Sequence, residues 1–443
     1  MSQLSAPPAH DLLIRDSSLV AVFGAPSILS HQDIAMDGAR IAAIGPTGSV
    51  GGARQVLDAR GNAVVPGLVN CHGHAPMSLF RGTADPMRLH PWLAWVAPYG
   101  GRYDEEDVYW GALLAVCQML RAGVTTFADM YFRQDLVLPA VELVGIRAFL
   151  AEAVMNGGGP GLRGSTDEQL RRAETLTRTQ NGRADGRIVT GVAPHSVYAC
   201  DEGLLREVAQ LARDTGCRVH THLSETQREV EECEATYGRR PPRFMADCGL
   251  FDGPTLAAHA VHLDADDIAL LAERDVAVAH NPASNLKLRS GLAPVPALLQ
   301  AGVRVGLGTD SAGSNDSLDL WRDCFLAAVL HAWGDDTSAG AAALELATAG
   351  GAAALRMEDQ IGAIAPGMKA DLVLMDLDRL TLAPATDVTR TLAFAARGDE
   401  VATVIVDGRM VVKDRRVLAV DEADVVEQCR RRARRIFGQG AIA

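Results

Sequence analysis

Between residues 12 and 65, apolar and polar positions alternate in short runs, LLIRDSSLVAVF, MDGARIAAIG and GARQVLDARGNAVV. Alternation puts successive side chains on opposite faces of a strand, so these runs predict β-hairpins turning at Asp37-Gly38 and Gly61-Asn62. The same pattern returns near the other end, in ADLVLMDLD (370–378) and VATVIVDGRMVVKDRRVL (401–418), where Asp407-Gly408 supplies another tight turn. The two ends are expected to meet as one small β-domain.

The middle of the chain reads differently. Apolar strand-like runs alternate there with stretches of helical period. The runs are 64–72, 124–130, 147–154, 187–195, 218–223, 255–262, 276–282 and 303–310, with helices expected at 105–122, 202–214, 264–273 and 293–301. Strands that alternate with helices predict a parallel sheet, and eight of them an α/β fold of the closed (β/α)8 TIM-like barrel type, with a doubly wound open sheet as the fallback. The expected organisation is 1–65 as the N-terminal part of a small β-sandwich domain, 66–365 as the barrel, and 366–443 as the rest of the sandwich plus a terminal helix. Residues 339–354, rich in Ala and Gly, predict one tightly packed helix. No dinucleotide fingerprint, P-loop or G-x-S-x-G elbow is present.

Composition narrows the choice of partner. The chain has 443 residues, 48% hydrophobic, with a formal net charge of -13, which repels a phosphate backbone and argues against nucleic acid. The arginine run at 430–435 reads as one solvated helical face. The eight cysteines form no C-x-x-C pair and read as reduced thiols of a cytoplasmic protein. No apolar run is long enough for a membrane, and no leader-like segment opens the sequence. Association into a homo-oligomer through exposed helices stays open.

Of the 12 histidines a disproportionate number fall at the carboxyl ends of the expected strands, where barrel active sites are built. His72 and His74, two apart on an extended segment, project to one side. His195, His220, His222, His259, His280 and Asp310 end later strands. Imidazoles plus a carboxylate suit Zn²⁺ or another first-row divalent ion with a position left for water. A pair of ions bridged by a modified lysine is disfavoured, because Lys287, Lys369 and Lys413 all lie off the barrel strands. Glu152, at the end of the third strand, remains able to ligate or bridge a metal. Glu225 reads either as a helix cap or as a proton carrier three residues after His222, and the spacing favours the carrier. His220 and His262 read as supporting residues. Trp92, Leu93 and Trp95 read as an apolar lid or as loop packing.

The segments PGLVNCHGHAPMSLFRG, THLSET, AAHAVHL, HNPASNLKL and GLGTDSAGSNDSLDLW resemble the amidohydrolase superfamily, and within it the methylthioadenosine and S-adenosylhomocysteine deaminase branch. That resemblance implies one divalent ion, zinc first and iron second, held by His72, His74, His222 and Asp310. It implies Glu225 as proton shuttle, His259 as the residue that orients the attacking water, and Asp310 as a further catalytic proton acceptor. His195 and Arg163 match substrate contacts of the branch, and Trp95 and Glu152 stand at substrate-facing positions. Two departures concern the substrate. Gly100 follows Pro98-Tyr99 where adenosine-type members carry a ribose-binding glutamate, and Glu152 replaces an arginine. The expected reaction is metal-dependent deamination at a ring amidine carbon of an adenine-like or related aminated heterocycle, a small-molecule substrate, with release of ammonia. The alternatives are a hydrolase of the same site with another leaving group, of the triazine chlorohydrolase or N-dealkylase type, a cyclic amide hydrolase, and a non-catalytic metal-binding barrel.

Overall fold

The structure, a computed structural model, describes residues 9–22, 27–157, 161–334 and 338–438. Eight parallel strands hydrogen-bond in chain order: β1 (Leu68–Asn70), β2 (Val124–Tyr131), β3 (Arg147–Val154), β4 (Ile188–Pro194), β5 (Arg218–Leu223), β6 (Thr255–His259), β7 (Ala277–His280) and β8 (Val305–Leu307). Closure comes just past β1, where Cys71 N donates to Leu307 O at 2.7 Å and Asp310 N to His72 O at 2.9 Å. Helices cover the outer face, so the strands are buried on both sides and read as apolar runs; every residue of β3 is buried. The expected helices are found at Glu105–Arg121, Glu202–Thr215, Ala265–Glu273 and Val295–Gln300.

Two sequence expectations change at the ends of the barrel. The run at 64–72 reads as one strand but serves two sheets, with Asn62–Pro66 in the small domain and β1 in the barrel. Gly67 is the pivot. A Cβ there would lie 2.0 Å from Thr125 Oγ1, so only glycine lets the chain cross so close to β2. The Ala-rich segment is two helices, Ala339–Leu346 and Ala349–Ala354, because the Ala347 carbonyl is taken by Val69 N of β1 at 2.8 Å instead of continuing the helix.

The small domain unites both chain ends in one nine-stranded sheet, joined where Asn62–Pro66 pairs antiparallel with Leu372–Asp376. The expected sandwich is thus continuous through its hydrogen bonds. Ile41 N donates to Met368 O and Ala370 N to Ala39 O, each at 2.9 Å, drawing the far edge back over a core that includes Ile14, Ile34, Ile41, Leu372 and Ile405. Arg147, at the start of β3, fixes this domain to the barrel through Asp371 (3.0 Å) and Asp407 (2.9 Å), and all three side chains are buried.

The arginine run lies on the terminal helix Glu422–Phe437 and is solvated only in part. Arg432 is buried, 2.5 Å from Glu106, and Arg435 lies 3.0 Å from Asp104, both acids being at the start of α2 (Glu105–Arg121), the helix that follows α1 (Leu89–Gly100). Acidic residues at that N-terminus draw the basic face inward. Among the described residues no helix is long and apolar enough to cross a membrane.

Candidate active site

The strand ends bring His72, His74, His222, His259 and Asp310 into one buried centre. His74 Nε2 lies 3.3 Å from Asp310 Oδ1 and 3.3 Å from His222 Nε2, and His72 Nε2 lies 3.6 Å from the same Asp310 oxygen. Ligand atoms of His72, His74 and Asp310, and of His72, His222 and His259, fall within 4.8 Å of one another.

The other ring nitrogens decide what these atoms can do. His222 Nδ1 is 2.8 Å from the His195 carbonyl, and His74 Nδ1 bonds the Met130 carbonyl. A carbonyl only accepts, so both Nδ1 atoms carry the hydrogen, and in each neutral ring Nε2 is a bare lone pair. Burial keeps His222 well below the usual imidazole range and takes His72 down to about 3, so these rings are neutral at pH 7. When His74 is neutral, its lone pair faces both that of His222 and the Asp310 oxygen, and buried His72 Nε2 has no hydrogen-bond partner. A cation held among these groups would satisfy them; nothing apolar would. Against burial, which lowers it, the Asp310 carboxylate raises His74, so in the metal-free chain a proton competes for the place of the ion. Asp310 itself is pushed up by burial, but the adjacent His72 and His74 rings hold it well below the carboxylate range.

Around this centre every polar group is held from behind. Asp310 Oδ2 accepts Ser284 Oγ at 2.6 Å and Ser314 Oγ at 2.9 Å, which leaves Oδ1 toward the histidines. His72 Nδ1 is 3.0 Å from His220 Nε2, and His259 Nδ1 is 2.8 Å from Asn285 Oδ1. Such partners fix ring orientation. Glu225 turns Oε2 to within 3.6 Å of His259 Nε2, while Oε1 accepts Ser290 Oγ at 3.0 Å. Burial raises the Glu225 carboxyl, which favours its holding a proton. Glu229, beneath it, is pushed by burial up to about 7. Ser284, Asn285, Ser290, Ser314 and Glu229 carry no signal of their own in the sequence, although the first four lie in or beside HNPASNLKL and GTDSAGSNDS; short hydroxyl and amide side chains become supports only once strands converge.

The pocket above the centre is lined by His195, Arg163, Gly100, Tyr198 and an apolar wall of Trp92, Leu93, Val96, Phe132 and Leu288. Arg163 sits over the Phe132 ring at 5.1 Å. Two expected substrate residues do not line it. Trp95, a turn further along α1 from Trp92, packs on Tyr99 with ring centres 5.2 Å apart. Glu152 faces outward because neighbouring strand residues alternate, and it is Ala153 that faces the pocket. Its carboxylate accepts Arg133 N at 3.0 Å, Gln134 N at 2.8 Å and Arg172 Nε at 2.9 Å, at the start of α3 (Gln134–Val144) and on α4 (Thr166–Thr179). A cleft of about 720 Å³ between those helices borders it. Glu152 thus neither reaches a metal nor reverses the charge of the pocket. Glu152→Gln should cost about 1–3 kcal/mol of stability, read in denaturant melts, with kcat of the folded fraction unchanged; a changed kcat at equal stability would return Glu152 to the site. His280 pairs with His331 at 3.0 Å and His262 with the Ser290 carbonyl at 2.7 Å.

Comparison with known proteins agrees with this geometry. Residues 63–411 match the amidohydrolase family. The 5-methylthioadenosine/S-adenosylhomocysteine deaminase of Desulforudis audaxviator is 44% identical over 433 residues, covering 96% of this chain and 99% of the relative. An adenosine deaminase from Xanthomonas campestris, crystallised with bound zinc, superposes with a TM-score of 0.92 at 34% identity, covering 97% of this chain and 100% of its own. The zinc complex of an atrazine chlorohydrolase from Arthrobacter aurescens superposes with a TM-score of 0.86 at 27% identity, over 95% and 100% of the two chains.

Proposed function

The chain belongs to the amidohydrolase family, and from that premise we propose that it removes the exocyclic amine of an adenine-like heterocycle as ammonia. It is a metal-dependent hydrolase acting on C–N bonds other than peptide bonds. The observation that carries the reading is the convergence of His72 and His74 on Asp310 Oδ1, with His222 Nε2 3.3 Å from His74 Nε2, beside a buried Glu225 whose carboxyl burial raises. His72, His74, His222 and Asp310 would hold one divalent ion. Zinc is favoured by three nitrogen donors and one oxygen donor, and zinc is bound in the two solved neighbours. A single ion is favoured because Glu152 is turned away and no lysine lies on a barrel strand. Such an ion supplies an activated water near neutral pH.

The residues then divide the proton work. An amidine carbon resists attack until the adjacent ring nitrogen is protonated, and Glu225 Oε2 delivers that proton. His259, held through Nδ1, offers Nε2 to orient the water. Asp310 Oδ1 takes a proton from the water and passes it to the departing amine, and as ammonia leaves, the added hydroxyl gives up its remaining proton to become the ring carbonyl and restores Glu225. Trp92, Val96, Phe132 and Leu288 wall a flat, apolar substrate, and His195 and Arg163 offer polar contacts at its edge. The named relative makes 5′-thio-substituted adenosines the first compounds to try. Eight unpaired cysteines favour a reducing, cytoplasmic location.

Ammonia release by the zinc-loaded protein, measured across adenine nucleosides, free purines, pterins and aminotriazines, tests the reading. Turnover of nucleosides is the expected result. Chloride or alkylamine release from triazines without deamination would shift the reading to another leaving group, and silence on every compound with metal bound would overturn it.

A further inference from the structure

The turn that carries Glu225 has an unusual backbone, and one buried side chain holds it. Ser224 is fully buried and takes φ 48°, a left-handed conformation rare for a residue with a Cβ. Its carbonyl accepts Val261 N at 3.2 Å and His262 N at 2.9 Å, while Leu223 O accepts Ala260 N at 2.9 Å, so the ends of β5 and β6 are stapled together. On the β6 side His259 and Ala260 are left-handed too, at φ 75° and 49°. Two opposed turns of this kind bring Glu225 Oε2 to His259 Nε2.

With the carbonyls committed, the Ser224 and Glu225 amides converge on one point, a small backbone nest of the sort that takes an anion. Glu229 fills it. One oxygen accepts Ser224 N at 2.9 Å and the other accepts Glu225 N at 2.8 Å. The helix Gln227–Tyr237 anchors Glu229, whose own N–H is capped by Thr226 Oγ1 at 3.2 Å. We infer that Glu229 is a positioning residue: its two-pronged grip on consecutive amides holds Ser224 left-handed and so sets the Glu225 carboxyl opposite His259. The inference rests on the reading of Glu225 as the proton carrier and adds the residue that aims it.

Glu229→Gln keeps size but turns an NH2 group toward one of the two amides. In the zinc-loaded enzyme kcat should fall on the order of 10²-fold, the scale of a misplaced reacting group, with KM and zinc stoichiometry unchanged. Ser224→Gly in the same background should recover most of that loss, because glycine enters the left-handed region without a clamp. If Glu229→Gln does not fold, Glu229→Asp, whose shorter arm withdraws the carboxylate, should show the same split and rescue. A crystal structure of the zinc-loaded variant gives a readout apart from turnover: Ser224 should leave positive φ and the Glu225 carboxyl should swing off His259. Wild-type kcat in Glu229→Gln, a loss of zinc in step with activity, no rescue by glycine, or an unmoved turn would each overturn the inference. A wild-type enzyme without deaminase activity would instead sink the proposed function, leaving the backbone readout to decide on Glu229.

Discussion

Glu225→Gln should give a folded protein with full metal content and a turnover lowered on the order of 10²- to 10⁴-fold, the usual worth of one positioned acid-base group. The amide matches the carboxyl in volume and still accepts the Ser290 hydroxyl, so packing around this 2% exposed side chain is kept. What it loses is a proton that can be given up. On the proposed reading the ring nitrogen of an amidine must gain that proton as the adjacent carbon is attacked, and burial raises the Glu225 carboxyl, 3.6 Å from His259, toward holding one. The expected metal ligands are other side chains, so bound zinc by elemental analysis should match wild type. Normal turnover would remove Glu225 from the chemistry, and loss of zinc would make it a ligand.

The second large effect is expected from removing the ion. Dialysis against a chelator should abolish ammonia release and lower the melting temperature, and stoichiometric zinc should restore both. Without a cation, a neutral His74 presents its lone pair to His222 and to Asp310, each at 3.3 Å, at the floor of the pocket. Either a proton is drawn in or the strand ends part. An ion present at a hundredfold over its Kd stabilises the native state by about 2.7 kcal/mol, well within the reach of calorimetry. Unchanged activity and melting after metal is fully removed would break the assignment of His72, His74, His222 and Asp310.

Much of this is legible in the order of the amino acids. Burial on both faces makes parallel strands continuous apolar runs, which is why the eight runs between residues 64 and 310 mark the barrel strands, and why histidines at their ends mark its mouth. The proposed metal ligands stand out because imidazole is costly to bury without a purpose, and H-x-H on an extended segment aims two rings one way. Glu152 departs from its expected place for the reverse reason: a strand position fixes depth along the barrel, whereas the face depends on register, and a one-residue step separates the pocket from the helix layer. Trp92 and Trp95 show the same limit on a helix. Both are apolar in α1, but only the packing of that helix decides which one meets the pocket.

The sequence by itself determined the strand count, the parallel order, the two-ended small domain and the residues competent to bind a metal, because burial patterns and ligand chemistry are local properties of side chains. Only the tertiary structure decided which lone pairs face one another, that Glu152 belongs to the start of α3, that Gly67 pivots between two sheets, and that Glu229 clamps the turn beneath Glu225. Those depend on backbone direction and on contacts between distant segments, such as Asn70 with Thr309, 239 residues apart along the chain. No periodicity along a chain encodes which carbonyl lies behind an imidazole; convergence of the strands does.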